Sequence, residues 1–324
     1  MKHLNLTILL LLVIAFISRA QHYDFIVAKD GSGNFTSIQA AIDASKAFPD
    51  APVRIFVKNG TYHEKVRVPA CNTKLQLIGE STEKTILTYG DYFSKIDRGR
   101  NSTFYTYTLM IEADDFRMEN MTVENSAGPV GQAVALHVEG DRCAFINCRF
   151  LGHQDTVYLA GQTSRNFFQH CYIDGTTDFI FGAATAFFDR CIIHSKSDSY
   201  ITAASTPKGK KYGFVFYQCK LTADEKVRKV FLGRPWRDYA QTVFIECEMG
   251  SHIHPYGWAN WDKTNRDKTA YYAEFKNTGE GAATAGRVMW SKQLTKRQAR
   301  NYCMEKVLAP HLPSPEPDLK AWAR

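Results

Sequence analysis

The sequence has no Gly-x-Ser-x-Gly elbow, which disfavours a serine hydrolase. It has no phosphate loop and no dinucleotide fingerprint. It has no Cys-x-x-Cys pair, and its ten histidines fall at no metal-ligand spacing, so no metal site is expected. Beyond the first twenty residues no stretch approaches 18 apolar residues, so no stable membrane association is expected. No regular helical pattern separates the apolar segments, which argues against leucine-rich and helical repeats. An excess of one charge is also small: 40 Lys and Arg stand against 33 Asp and Glu, a net +7 over 324 residues. That balance favours acidic partners weakly and carries no nucleic-acid signature. The 44% hydrophobic content excludes a disordered chain.

What is present begins with an address. Lys2 and His3 precede an apolar run, Ile8 to Ile17, and Ser18-Arg19-Ala20 follows with small residues at a cleavage site. Residues 1–20 read as a signal peptide cut after Ala20, which makes the mature chain secreted or periplasmic. Export would make Asn34, Asn59, Asn101 and Asn120, each in an Asn-x-Ser/Thr triplet, glycan acceptors in a eukaryotic host.

Eight cysteines in an exported chain first suggest disulfides. Five of them share one pattern, Phe-x-x-Cys-x-apolar, at Phe145/Cys148, Phe168/Cys171, Phe188/Cys191, Phe216/Cys219 and Phe244/Cys247. Met118 and Met121 repeat the shape with methionine. The central positions are 27, 23, 20, 28 and 28 residues apart. Self-similarity at this period, with strand-like alternation and Gly/Asn/Asp clusters between copies, means a β-solenoid. The expected fold is all-β, a parallel β-helix over residues 21–310. On this reading the cysteines are small buried hydrophobes in an internal ladder. One or two bridges between successive members stay open. Residues 36–48 read as an amphipathic helix with Thr36 or Ser37 as N-cap, covering the first coil. Residues 291–308 read as a second helix near the other end, and 311–324 as a Pro-rich tail packed loosely outside.

The repeat supplies a register. Asp155 lies seven residues after Cys148, and Asp178 seven after Cys171. Regular stacking would bring the two carboxylates about 5 Å apart on neighbouring coils. Carboxylates that close split their pKa values, leaving one charged and one protonated. Asp198 shares the register nominally but reads as a solvated loop acid, and His153 as a packing residue. Gln132 and Gln154 can donate to an oxyanion without adding charge. Arg234 can hold a carboxylate ionised and oriented. Trp236 can stack on a sugar face. Each of these alone is compatible with a purely structural role in a solenoid.

Taken together, Gly60-Thr-Tyr-His-Glu64, Gly131-Gln-Ala-Val-Ala-Leu136, Gly152-His-Gln-Asp-Thr156, Asp178-Phe-Ile-Phe-Gly182 and Leu232-Gly-Arg-Pro-Trp236 resemble, in order, the signature segments of the pectin methylesterases. The resemblance covers about residues 22–310. It implies a right-handed parallel β-helix and hydrolysis of galacturonate methyl esters in homogalacturonan by a monomer without cofactors. It also implies roles: Asp178 as nucleophile, Asp155 as general acid/base, Gln132 and Gln154 as oxyanion donors, and Arg234 as the partner that orients Asp178. Trp236 resembles a sugar-stacking wall, and Thr108, Tyr158, Phe181 and Met289 resemble groove-lining positions. The long segment 91–107 near the groove, the 23-residue interval between the acids and the lack of an inhibitor-like pro-region suggest a bacterial type. Competing readings are an esterase or thioesterase for another substrate, a β-helix lyase or glycosidase, and a non-catalytic polysaccharide-binding coil. A lyase would need a Ca²⁺ site with a basic Arg or Lys, and a glycosidase its own acid constellation; neither is assembled here.

Overall fold

The computed structural model describes residues 22–310 and 322–323. The expected signal peptide and nearly all of the expected tail lie outside the described residues. The described chain winds through three parallel sheets of eleven, seven and eight strands. Seven successive coils contribute one strand to each sheet, so the architecture is the parallel β-helix expected from the repeat.

The Phe-x-x-Cys pattern is the corner between the eleven-stranded and eight-stranded sheets. Residues 143–146 lie in the first and 149–151 in the second. The residue between Ile146 and Cys148 is Asn147, with φ +50°. The same left-handed step recurs at Asn120, His170, Arg190, Gln218 and Glu246, all with φ of 52–53°. Asparagine tolerates this conformation better than most residues, and Asn147 and Asn120 add a hydrogen bond between coils at 2.7 Å. The step turns the next side chain inward, where space suits a thiol. All eight cysteines are free. The ladder cysteines are buried, and their thiols donate to main-chain carbonyls of the preceding coil: Cys171 to Phe145 at 3.3 Å, Cys191 to Phe168 at 3.5 Å, Cys219 to Phe188 at 3.3 Å. Burial, followed by the neighbouring thiols, pushes Cys148, Cys191 and Cys247 well above the usual thiol range, which leaves these three unreactive. Beside them the phenylalanines form an internal stack, with ring centroids 4.4–4.8 Å apart from Phe145 through Phe168, Phe188 and Phe216 to Phe244.

The first coil is covered by a helix, but over Ile38–Asp43 only. Ser37 caps it by accepting from the Ala40 amide, and Glu64 accepts from the Ile38 and Gln39 amides. It stops early because its last carbonyls find other partners: Ser45 Oγ donates to Ala41 O and Asn72 Nδ2 to Ile42 O. The C-terminal expectation needs a larger correction. Residues 291–308 form no single helix. Lys292–Gln293 adds a strand to the long sheet, followed by two one-turn helices, Lys296–Ala299 and Met304–Val307. The Thr295–Gln298 capping box starts the first turn, and Cys303 begins the second. Leu294, Tyr302, Val307 and Leu308 then pack on Phe167, Phe187, Val215 and Val243, on the outer face of the long sheet. This segment therefore lies along the solenoid instead of plugging its end. Trp322 and Ala323 are buried in the same cluster, so the tail is not loose at that point.

Candidate active site

The seven-stranded sheet carries the candidate site. Its register runs Leu136, Val157, Ile180, Thr202, Gly233 across successive coils. Asp155 and Asp178 each stand two residues before the paired Val157 and Ile180, so they occupy equivalent places on adjacent coils. Both have left-handed backbones, with φ +67° and +50°. Their amides still join the ladder, Asp155 N–H to Thr177 O at 3.0 Å and Asp178 N–H to Tyr200 O at 2.8 Å. Strand spacing alone places such neighbours about 4.8 Å apart. Gln154, which precedes Asp155, pairs with Gln132 on the coil before.

Arg234 reaches Asp178 from two coils away. Its Nε donates to Oδ1 at 3.0 Å and its Nη2 to Oδ2 at 2.7 Å, a two-pronged contact. The guanidinium carbon lies 4.0 Å from the ring centroid of Tyr200 and 4.0 Å from that of Trp261, so the cation is held between two aromatic faces.

Asp155 is 8% exposed and Asp178 5%. Burial, then the neighbouring Asp178 charge, pushes Asp155 well above the usual carboxylate range, against the pull of Arg234. Burial raises Asp178 too, but the Arg234 hydrogen bonds and charge oppose it. Arg234 itself sits above its ordinary value: burial works to lower it, and the bond and charge of Asp178 outweigh that. The pair is thus asymmetric, with the proton favoured on Asp155 and the charge on Asp178.

These groups open into a cleft of about 370 Å³. Gln132, Gln154, Asp155, Asp178 and Arg234 line its floor, and Phe181, Trp236 and Trp261 form one wall. The Gln132 and Gln154 side-chain amides have no hydrogen-bond partner among the described residues, so their donors are free. The opposite wall comes from the segment 91–107. That segment folds as a short helix, Phe93–Ile96, and a 3-10 turn, Gly99–Tyr105. Phe93 N–H donates to Gln132 O at 2.9 Å, and Phe104 lies 4.9 Å from Tyr158. Among the described residues no group of three or more His, Cys, Asp and Glu gathers as a metal site would require.

A family model described as pectinesterase matches residues 24–310. The chain belongs to the pectinesterase family. It is 37% identical over 297 residues to pectinesterase 31 of Arabidopsis thaliana, covering 89% of this chain and 93% of that one. A probable pectinesterase/pectinesterase inhibitor 13 of the same plant is 38% identical over 292 residues, and there the match spans 85% of this chain but 47% of the relative, about half its length. Among solved structures, pectin methylesterase from carrot superposes with a TM-score of 0.84 at 32% identity, covering 90% of this chain and 94% of that one. A pectin methylesterase solved in complex with a hexasaccharide superposes at 0.77 and 30% identity, covering 91% and 100%. Both of these curated relatives are plant proteins, so the expectation of a bacterial type is set aside.

Within this pectinesterase fold, most site residues singled out from sequence meet in one cleft. Tyr158 stacks on Phe181 at 4.5 Å, and burial, followed by the charge of Glu139, pushes its phenol up to about 12. Two assignments need correction. Thr108 is 0% exposed, and its hydroxyl donates to Glu124 O at 2.8 Å, so it supports the coil from within and does not face the groove. Met289 is 102% exposed, and it is not among the residues lining the cleft. Asp198 lies on an exposed loop and accepts from the Arg228 and Lys229 amides, in keeping with a loop acid. His153 is half-buried with Nδ1 unpartnered, and burial, followed by Lys196, lowers its pKa. Sequence reasoning missed Tyr200, Trp261, Phe93 and Phe104. The Trp258-x-x-Trp261 pair was a visible signal, but nothing in the linear sequence aims Trp261 at Arg234.

Proposed function

We propose that the chain removes methyl esters from the galacturonate residues of pectin, with Asp178 as nucleophile and Asp155 as proton carrier. The observation that carries this reading is the two-pronged Arg234–Asp178 contact one coil from Asp155, a carboxyl that burial pushes well above its usual range. Asp178 Oδ attacks the ester carbonyl carbon, and the free amides of Gln132 and Gln154 donate to the oxyanion that forms. The bond from carbon to methoxy oxygen breaks, and Asp155 passes its proton to that oxygen, giving methanol. A mixed anhydride between galacturonate and Asp178 remains. Asp155, now a carboxylate, takes a proton from water while the hydroxide adds to the galacturonyl carbon. Cleavage of the anhydride restores the Asp178 carboxylate and leaves Asp155 protonated. The galacturonic acid then loses its proton to solvent.

Trp236, Phe181 and Tyr158 supply aromatic faces suited to sugar rings along the cleft. The same reading makes the protein a monomer exported by its first twenty residues, with cleavage after Ala20. Sequencing the mature N-terminus tests that part. Methanol release from methylated pectin tests the main reading. An unsaturated product absorbing in the ultraviolet, without methanol, would point instead to chain cleavage by elimination.

A further inference from the structure

A second groove, of about 670 Å³, lies on the outer face of the eleven-stranded sheet, beside the two C-terminal turns. It shares no lining residue with the catalytic cleft, which belongs to the seven-stranded sheet. Tyr217, Ile245 and Phe275 pair in register on three successive coils and form one row of its floor. Phe187 lies 5.9 Å from Tyr217, inclined by 30°. Tyr217 and Phe275 are only half-buried, so part of each ring stays open to the groove.

The rim is basic. Lys276, Lys296 and Arg300 line the groove, are exposed, and have no ion-pair partner among the described residues. Lys296 and Arg300 stand four residues apart on the first C-terminal turn, with Arg300 N–H donating to Lys296 O at 3.3 Å, so they share one side of it. Lys276 Nζ lies 5.6 Å over Phe275, which sets a cation beside an aromatic face. The acids of the groove do not balance these charges. Asp189 is taken by Arg190 and Gln169, which leaves Glu246 alone against three unpaired cations.

We propose that this groove is a second, non-catalytic binding site for de-esterified galacturonan. Open aromatic rings suit sugar faces, and the unpaired cations suit a sugar that carries carboxylates. The choice of galacturonan among acidic polysaccharides rests on the esterase reading above. Methyl esters cancel the charge that the rim would bind, so the site takes stretches already processed. A stretch held there raises the concentration of the rest of the same polymer around the catalytic cleft. A second copy of the chain suits the groove less well, because a two-fold contact would set the same cations against each other.

Cys303 lines the groove and is partly exposed, so it reports on occupancy; Cys71, also partly exposed, lies outside the groove and serves as the reference. The test is the rate at which a maleimide labels each thiol in the intact protein, read by mass spectrometry. At low ionic strength, unmethylated hexagalacturonate several times above its Kd should slow labelling of Cys303 by about fivefold and leave Cys71 unchanged. Maltohexaose, an uncharged hexasaccharide, should protect neither thiol, and added salt should reverse the protection. The double variant Lys296→Gln/Arg300→Gln should lose the protection while keeping the wild-type kcat/KM for methanol release from a fully methyl-esterified hexagalacturonate. Unchanged labelling of Cys303 in hexagalacturonate, equal protection by maltohexaose, or protection that survives in the double variant overturns the site. Protection that grows with protein concentration in the absence of sugar gives the groove to a second copy and overturns it as well. Methanol release is measured on the same preparation, and its absence from the wild type removes the esterase reading whether or not Cys303 is protected.

Discussion

Arg234 and Asp178, 56 residues apart in sequence, meet through two hydrogen bonds of 3.0 and 2.7 Å. The contact fixes both the charge and the orientation of the carboxylate, one coil away from Asp155. Arg234 opposes burial at Asp178, while burial and the Asp178 charge raise Asp155, and the proposed mechanism depends on that difference.

Asp155→Asn should lose hydrolysis and gain stability. A carboxyl whose folded-state pKa is raised binds a proton that the unfolded chain releases, so the native state loses stability as pH rises above the ordinary carboxylate range. Removing the acid removes that cost. A melting temperature at pH 7 higher by about 2 °C, together with methanol release lowered at least a hundredfold, is the expected pair of outcomes. A lower melting temperature would contradict the burial argument.

The pH profile of kcat/KM should be bell-shaped, rising as Asp178 ionises and falling as Asp155 does. Arg234 pulls the Asp178 pKa down, against burial. In Arg234→Gln that pull is gone, so the acid limb should move to higher pH while the maximum falls. An unmoved acid limb would show that Arg234 does not set the ionisation of Asp178.

Trp261→Leu takes away one face of the sandwich around Arg234 while leaving both acids in place. The loss should be about 1 kcal/mol, roughly five- to tenfold in kcat. The acid limb should shift in the same direction as in Arg234→Gln. A change confined to KM would make Trp261 a sugar contact and not a support for the arginine.

Phe168→Ala removes a fully buried ring from the middle of the aromatic stack, between Phe145 at 4.6 Å and Phe188 at 4.8 Å. The destabilisation should be about 3–5 kcal/mol, read by chemical denaturation. A cost below about 1 kcal/mol would mean the solenoid interior can collapse around the gap.

The β-helix was legible because one corner dictates one local pattern: a left-handed residue, then an inward small apolar side chain, repeated once per coil. Phe145 and Cys148 announce it as clearly as Phe244 and Cys247 do. The same regularity made Asp155 and Asp178 readable as neighbours, since both follow their cysteine by seven residues. Arg234 and Trp236 were legible as chemistry but not as position. Tyr200 was hidden because its role comes from its place beside Arg234 on the next coil. Trp261, Phe93 and Phe104 were hidden because they arrive on connections of irregular length, for which no period exists. Thr108 failed for another reason: it stands just before the Leu109–Ile111 strand, buried, with its hydroxyl donating to Glu124 O. Residues 291–308 have helical spacing, but a sheet face rich in Phe and Val beside them offered more burial to two short turns than to one straight helix.

The central claim is that Asp178 forms a covalent acyl intermediate. Methanol release from fully methyl-esterified pectin by Asp178→Ala, with folding checked by circular dichroism, tests it most directly. The account predicts a wild-type spectrum and a rate lower by about a thousandfold or more. A folded Asp178→Ala variant that releases methanol at the wild-type rate would contradict it.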